Sequence, residues 1–391
     1  MSELAGSGWL TTAVQQTVAY GVPLAEALPE AVQRLSAQSV AVVTTNSLSE
    51  PGGLAETARR ILGSKFHSII AGMRPHTPRS QVIRVAEALK GADAVVTIGG
   101  GSVCDSVKAA RLCLANGVLT AADMDRFRTY KNNPGGEGDL TVPPTLPFIA
   151  VPTTLSAAEF TSGAGVTDER GPVKQVFLYP RLGADIIILD PAMTRQTPPR
   201  LFFATGMRAV DHAVENWCSI NGNPLSDAYS LFAARLLIPS LEKVFDAPDD
   251  LEARLDCMKG SWLSILGAAS GSLKSGASHG IGHALGGTGG MPHGETSCVM
   301  LAHVLRYNAS VNAERQALLA SAIGKADTPL ADIIARLVSR LELPHRLRDA
   351  GISEAALDTI AEVALRDPLI ATNPRPIKTV TEIRQLLQQA W

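Results

Sequence analysis

The chain has 391 residues, of which 46% are hydrophobic and 18% are charged. Globular proteins carry about 25% charged residues, so this apolar composition excludes disordered, collagen-like and low-complexity chains. The 35 Lys and Arg residues nearly balance the 37 Asp and Glu residues, for a formal net charge of -2. Such a balance provides no electrostatic footprint for nucleic acid or an anionic membrane, and we expect neither partner. The length predicts two or three domains.

Cysteine usage and the N-terminal segment bear on the cellular compartment. The five cysteines are scattered and lack metal-ligand spacing, which gives no indication of a disulfide framework. Residues 1–16 lack the basic and then apolar pattern of a secretory signal. No segment reaches the roughly 18–20 apolar residues that a membrane helix needs. We therefore expect a cytoplasmic protein.

Short apolar runs alternate with amphipathic stretches through the first half of the chain. The predicted strands span residues 40–45, 67–70, 94–98, 148–151, 175–178 and 185–189, with helices at 54–62 and 80–89. Residues 130–147, rich in Gly, Pro and Asn, predict a surface excursion between two strands. Continuous apolar strands separated by helices are typical of a parallel sheet covered on both faces. This half is predicted to be an α/β domain.

The pattern changes after Asp190-Pro191. Pro198-Pro199 predicts the start of a helix, with Thr197 as its N-cap. From there to Trp391 the periodicity is helical, with almost no strand pattern. We predict an α/β domain over residues 1–190 and an all-helical domain over residues 191–391.

A glycine turn follows the predicted strand at 94–98. Gly99-Gly100-Gly101 allow close approach of a ligand, and the N-terminus of the helix that follows adds partial positive charge, which suits a pyrophosphate. The run is neither a Walker A loop nor a GxGxxG fingerprint, because Cys104 occupies the last position. A plain strand-to-helix turn, capped by Ser102 and Asp105, is the equal alternative.

The end of the first predicted strand concerns the choice of dinucleotide. An acidic residue beyond an early strand usually holds the adenosine 2′-hydroxyl. Here Thr44, Thr45 and Asn46 follow Val43, without a carboxylate. The sequence therefore leaves NADH and NADPH both open.

Histidines are concentrated in two short segments of the helical half. Arg208 and His212 are four residues apart, as are His279 and His283, so each pair lies on one helix face. His293 follows ten residues later. Such imidazoles bind a metal, polarise a carbonyl or relay protons. One of them alone is more often a hydrogen-bonded core residue, but three within fifteen positions of a nearly uncharged segment favour a site.

The charge of Arg208 separates a metal site from an organic-anion site. At about 4–6 Å in a poorly hydrated cleft, its guanidinium would repel a divalent cation by several kcal/mol. The same group suits a bidentate carboxylate, which predicts a small anionic substrate. Asp211 lies about 100° round the helix from His212 and fits a surface charge equally well. Glu295 and Lys274 are predicted to be helix-end or surface charges.

Several short motifs follow one another along the chain. They are Gly99-Gly100-Gly101-Ser102 with Asp105 and Lys108, residues 148–154, 165–168, 188–191 and 204–207, His279 with His283, and Pro292-His293-Gly294. In combination and in this order they are highly specific, and through them the sequence resembles the iron-containing alcohol dehydrogenases over almost its whole length.

The resemblance implies a Rossmann-like dinucleotide-binding domain, an all-helical domain of the dehydroquinate synthase-like architecture, and an active-site cleft between them. It also implies a homodimer. The glycine turn would hold the pyrophosphate, and further residues would contact NADH or NADPH. The cofactor-binding residues expected are Thr45, Asn46, Gly99, Gly100, Gly101, Ser102, Asp105, Thr153, Thr154, Leu155 and Lys174.

The family's metal ligands are an aspartate and three histidines. The histidines correspond to His212, His279 and His293, but the aspartate position holds Arg208. The maleylacetate reductases are similar in lacking that aspartate and in reducing a dicarboxylate without metal. Residues 73–78 and Glu295 resemble that branch, whereas Asp105 resembles the alcohol dehydrogenase form.

The resemblance and Arg208 together predict NAD(P)H-dependent reduction of a small carboxylate-bearing oxo or enoyl compound, without metal. Arg208 would anchor the carboxylate, and His279 or His283 would donate the proton, with His212 and His293 beside them. The alternative is a metal-dependent alcohol dehydrogenase in which three histidines bind Fe or Zn. A sugar-phosphate cyclase-type lyase and an inactive binding protein rank lower.

Overall fold

The computed structural model describes residues 16–127, 142–171, 173–179, 181–269 and 273–391. Most of the excursion predicted at 130–147 lies outside these residues. The described residues form two compact units, residues 16–196 and residues 197–391.

The described residues of the first unit contain eight strands and five α-helices. The strands are β1 (Thr17–Tyr20), β2 (Val40–Thr44), β3 (Phe66–Ile70), β4 (Ala94–Gly99), β5 (Phe148–Pro152), β6 (Gly163–Asp168), β7 (Val173–Leu178) and β8 (Ile186–Leu189). The helices are α1 (Leu24–Arg34), α2 (Asn46–Ser49), α3 (Leu54–Leu62), α4 (Arg79–Ala88) and α5 (Gly101–Ala115). Short 3-10 turns span Gly63–Lys65, Asp123–Phe127, Ala158–Phe160 and Pro191–Thr194.

Six strands form one parallel sheet in the order β1-β8-β5-β4-β2-β3. Strands β2, β4 and β5 are fully buried because their side chains are apolar on both faces. The chain leaves β2 toward β3 on one side and leaves β4 toward β5 on the other. The carboxyl ends of β2 and β4 therefore meet at a topological switch point, where open α/β sheets bind ligands.

The predicted parallel sheet is confirmed, but not for every strand. Strand β7 pairs with β6 in a separate antiparallel hairpin, and Val166 in β6 lies opposite Gln175 in β7. Buried and half-buried residues alternate along β6, as expected of a strand with one covered face. Sequence reasoning missed β6, β1 and α1. β1 is a four-residue edge strand, and α1 contains Pro29, which obscures its helical pattern.

The second unit is all-helical in its described residues, as predicted. Its helices are α6 (Pro199–Cys218), α7 (Pro224–Asp246), α8 (Leu251–Ala269), α9 (Ala277–Gly287), α10 (His293–Ala322), α11 (Leu330–Arg340), α12 (Leu357–Leu365) and α13 (Val380–Ala390). Short 3-10 turns span Arg348–Ala350, Glu354–Ala356 and Ile370–Thr372. None of the described helices combines the length and the apolar character needed to cross a bilayer.

Helix α6 begins at Pro199, as the Pro-Pro pair predicts, but the expected N-cap is wrong. Pro198 occupies the N-cap position, and no side chain caps the helix there. Pro199 at the first helical position needs no hydrogen-bond acceptor, which explains the start without a cap. Helix α6 packs against α7, α8 and α10, so 15 of its 20 residues are buried. That burial brings polar side chains of α6 into the core.

Candidate active site

The glycine turn connects β4 directly to α5. Gly99 has a φ of +155°, and a Cβ there would lie 2.6 Å from Val103 Cγ2. A Cβ on Gly100 would lie 2.9 Å from Thr154 Oγ1. Both positions therefore need glycine. No side chain caps α5, and Ser102 lies inside the helix, so the capping box of Ser102 with Asp105 is wrong.

Asp105 instead ties α5 to the β6–β7 hairpin. Its Oδ2 accepts a hydrogen bond of 3.0 Å from the Gly165 N–H, and its Oδ1 lies 3.5 Å from Lys108 Nζ. Lys108 is fully buried, and its ammonium also donates to Thr161 Oγ1 and to the Gly163 carbonyl. These contacts leave Asp105 with a role in the fold, whatever it contributes to a ligand.

The other expected cofactor residues lie mostly at the carboxyl edge of the main sheet. Thr153 follows β5 and donates its N–H to the Gly99 carbonyl at 3.1 Å. Thr153, Thr154 and Leu155 are all buried, whereas Thr45 is half-buried and Asn46 is exposed beyond β2. Lys174 lies opposite Thr167 in β7, and its side chain is outside the described part of the chain.

We expect Gly99→Ala to weaken dinucleotide binding at least tenfold. A non-glycine residue in this left-handed region costs roughly 1–2 kcal/mol, and the added methyl group would also displace Val103 at the start of α5. Fluorescence titration with NADH and NADPH measures the affinity. Gly171→Ala is the control, because its Cβ would meet no atom within 4 Å. Equal affinities of the two variants would contradict the prediction.

Arg208 is buried in α6, with only 5% of its surface exposed. Its Nη1 donates to Ser297 Oγ at 3.1 Å and lies 3.8 Å from Asp211 Oδ2. Burial lowers the pKa of Arg208, but a guanidinium stays protonated at neutral pH. A permanent positive charge is therefore enclosed in the helical unit.

Asp211 is fully buried, so its interpretation as a surface charge is wrong. Its Oδ2 accepts hydrogen bonds from Ser278 Oγ at 2.9 Å and from Ser297 Oγ at 2.6 Å. Burial raises the pKa of Asp211, whereas His279 and Arg208 lower it. Because Ser297 bonds to both Asp211 and Arg208, it links this carboxylate to the guanidinium.

Glu215, which sequence reasoning missed, holds the start of α9. Its carboxylate accepts the N–H groups of Gly276, Ser278 and His279 at 2.9, 2.8 and 3.2 Å. Its Oε2 also lies 2.7 Å from His279 Nδ1. Burial raises the pKa of Glu215, and the three N–H groups, which stabilise the charged form, act in the opposite direction. Its place four residues after Asp211 on an apolar helix was the available signal.

The four predicted histidines form two ring pairs. The His212 and His279 rings lie 4.7 Å apart, and burial lowers the pKa of His212 well below its usual value and that of His279 to about 3. The His283 and His293 rings stack at 5.9 Å. His283 Nδ1 lies 2.8 Å from Asp367 Oδ2, and 43% of the His283 side chain is exposed. One pair is thus buried and neutral, and the other includes a solvent-accessible ring.

Four buried polar atoms of this cluster have no hydrogen-bond partner in the described part of the chain. They are Arg208 Nε, Asp211 Oδ1, His212 Nδ1 and His279 Nε2. A buried unpaired polar atom costs roughly 1–3 kcal/mol, and native proteins contain few of them. Their concentration in one cluster marks a place where a polar ligand would be stabilised.

One trio in the cluster has atoms close enough together for a metal ion. Ligand atoms of Asp211, Glu215 and His279 lie within 4.8 Å of one another. The same carboxylates already accept hydrogen bonds from Ser278, Ser297 and backbone N–H groups. A metal bound there would replace those donors.

Glu295 is buried, which corrects its interpretation as an ordinary surface charge. Only 5% of it is exposed, and it forms a bidentate pair with Arg200, with the shorter contact at 2.6 Å. It does lie at a helix end, in the first turn of α10. Lys274 is exposed, as expected.

Comparison with known proteins gives matches over both units. The model described as "Iron-containing alcohol dehydrogenase" matches residues 16–191, and "Fe-containing alcohol dehydrogenase family, C-terminal" matches residues 202–391. Dehydrogenase FUM7 of Gibberella moniliformis is 34% identical over 91% of this chain and 92% of its own length. Maleylacetate reductase of Burkholderia cepacia is 30% identical over 94% of each chain.

A solved structure extends this likeness to the fold. The maleylacetate reductase of Agrobacterium tumefaciens superposes with a TM-score of 0.81 and 26% identity, covering 98% of both chains. The predicted combination of a Rossmann-like domain with an all-helical domain is thereby confirmed. The chain belongs to the iron-containing alcohol dehydrogenase family and is an oxidoreductase of the dehydrogenase and reductase type.

Proposed function

We propose that the protein uses NADH or NADPH to reduce a small carboxylate-bearing oxo or enoyl compound, without a metal ion. The observation that carries the proposal is the buried Arg208, whose Nε is unpaired next to neutral His212 and His279. A guanidinium binds a carboxylate through two parallel hydrogen bonds. The likeness to two maleylacetate reductases supports the same class of substrate.

The residues of the cluster do not fit a divalent cation. Arg208 Nη1 lies only 3.8 Å from Asp211 Oδ2, so a metal held by that carboxylate would lie within a few ångströms of a fixed positive charge. At such distances the repulsion amounts to several kcal/mol. The carboxylates of Asp211 and Glu215 are also engaged by hydroxyl and N–H donors. No step of the proposed reaction uses a metal.

The glycine turn fits a dinucleotide pyrophosphate. Cβ atoms at Gly99 and Gly100 would collide with Val103 and Thr154, so the backbone is kept bare at the carboxyl end of β4. The following helix starts without a side-chain cap, which leaves its N-terminus available to a phosphate. The bound dinucleotide would supply the hydride.

His283, rather than His279, is the proton donor in this proposal. Three backbone N–H groups and the N-terminus of α9 favour an ionised Glu215. The hydrogen between His279 Nδ1 and Glu215 Oε2 therefore belongs to His279 Nδ1. A neutral ring with its hydrogen on Nδ1 has a lone pair on Nε2 and accepts hydrogen bonds there. His283 is open to solvent and backed by Asp367, an arrangement that suits a general acid.

A metal-dependent alcohol dehydrogenase is the second candidate. His212 Nδ1 and His279 Nε2 are buried without partners, and a metal ion would satisfy both. Elemental analysis of the purified protein separates the two candidates.

We expect purified protein to contain far less than one Fe or Zn per chain and to oxidise NAD(P)H with small oxo acids in the presence of a chelator. Arg208→Asp is the matched control, because it places a carboxylate beside the three histidines that correspond to family ligands. That variant should gain metal, measured by elemental analysis after incubation with Fe or Zn. Activity that appears only with added metal in the unmodified protein would refute the proposal.

A further inference from the structure

We infer that the protein prefers NADPH to NADH, and that Arg84 binds the adenosine 2′-phosphate. This inference rests on the proposed function, because it takes the glycine turn to be a dinucleotide site. It concerns the region beyond β2, where Thr45 and Asn46 provide no carboxylate. All the residues involved belong to the α/β unit.

Strand order places the adenosine ribose at the end of β2. In a doubly wound sheet, the strand that carries the glycine turn has the ribose-binding residue at the end of the neighbouring strand. Strand β4 carries the turn and lies between β5 and β2. Thr153 and Thr154, beyond β5, pack against the turn itself, which leaves the end of β2 for the ribose. Thr44 of β2 lies opposite Ile98 of β4. Asn46 lies exposed just beyond β2. With Thr45 it is one of the first two residues after β2, and neither is the acidic residue that would bind the 2′-hydroxyl of NADH and repel a 2′-phosphate.

A second segment brings a positive charge to the same place. The Met73 N–H donates to the Thr44 carbonyl at 3.2 Å, which fixes the chain after β3 to the end of β2. At Gly72, with a φ of +84°, a Cβ would lie 3.3 Å from Asn46 Oδ1 and 3.7 Å from Arg84 Nη2. The amide of Asn46 and the guanidinium of Arg84 therefore border the same small space.

Arg84 is held in position by a backbone carbonyl and not by a carboxylate from the described part of the chain. Its Nη2 donates to the Ala71 carbonyl at 3.1 Å, and its side chain is exposed on α4. It forms no salt bridge with any carboxylate of the described residues, whereas nearby Arg74 pairs with Glu169 at 3.6 Å. A guanidinium that is oriented, exposed and unneutralised suits a phosphate monoester.

Titration of the full-length protein with NADPH, NADH and 2′-AMP tests the inference. We expect NADPH to bind at least tenfold more tightly than NADH. Arg84→Gln should weaken the binding of NADPH and of 2′-AMP by about tenfold to a hundredfold, the range typical of hydrogen bonds to charged groups. It should weaken the binding of NADH much less. Asn46→Asp should reverse the preference, because a carboxylate repels the 2′-phosphate and accepts the 2′-hydroxyl.

Arg60→Gln is the matched control, since Arg60 is an exposed arginine on α3 of the same unit. Thermal unfolding of each variant confirms that it is folded. The inference would be overturned, and the proposed function left standing, if the unmodified protein bound NADH more tightly than NADPH. The same holds if Arg84→Gln left the ratio of the two affinities unchanged. Binding of neither dinucleotide would refute the proposed function as well.

Discussion

Arg208→Ala is expected to lower kcat/KM for carboxylate substrates by about 10²- to 10³-fold. Removing one partner of a buried, hydrogen-bonded charge pair costs roughly 2–5 kcal/mol, and here the substrate carboxylate is the partner left unpaired. Steady-state kinetics with a small oxo acid and with its methyl ester measures the effect. The kcat/KM for the ester should fall much less, because the ester has no negative charge for Arg208 to bind.

Two further variants separate anchoring from stability. Arg208→Lys keeps the charge but loses the planar fork, so we expect activity between that of the unmodified protein and that of Arg208→Ala. Arg208→Ala also removes the guanidinium that lies 3.8 Å from the buried Asp211 carboxylate, and the double variant with Asp211→Asn removes the carboxylate charge as well. Recovery of folding stability without recovery of acid turnover is the expected pattern. Equal losses for acid and ester would contradict the assignment of Arg208.

Glu215→Gln is expected to destabilise the helical unit by about 3 kcal/mol. Both oxygens of Glu215 accept N–H groups, so an amide nitrogen would face at least one donor and leave it unpaired. Loss of a buried hydrogen bond to a charged group, with its partner left unsatisfied, has this magnitude. For a unit of this size the unfolding temperature should fall by roughly 6–12 °C.

Circular dichroism during heating measures the change. Glu252→Gln is the matched control, because Glu252 is an exposed carboxylate in the first turn of α8. That control should leave the unfolding temperature within about 1 °C, the effect typical of surface substitutions. An unchanged unfolding temperature for Glu215→Gln would show that Glu215 does not hold the start of α9.

Local periodicity was sufficient to predict five of the six strands of the main sheet, but not which histidine rings lie together. β2, β4 and β5 are continuous apolar runs, and a run of that kind has no solvent-facing alternative. Residues four apart on a helix share a face by geometry alone, which predicted Arg208 with His212 and His279 with His283. The rings that lie together are instead His212 with His279 and His283 with His293, because these contacts are made between helices. The charge of Arg208 could also be assessed from its residue type.

Tertiary packing decided what the sequence left open. Asp211 was expected to fit a surface charge because it is turned away from His212, but α6 is covered on nearly all sides. The role of Glu215 depends on Gly276 and Ser278, about sixty residues later in the chain, and no local pattern connects them. Strand β6 was missed because Gly163 and Gly165 interrupt its apolar pattern.

The carboxylate of Glu215 both stabilises the first turn of α9 and orients the His279 ring. Fraying of the first turn of α9 would release the N–H groups and the His279 imidazole together, since one side chain holds all of them. On heating, enzymatic activity should therefore be lost when this turn opens, at a lower temperature than the unfolding of the rest of the helical unit. The temperature dependence of the catalytic rate then reports the opening of a single helical turn.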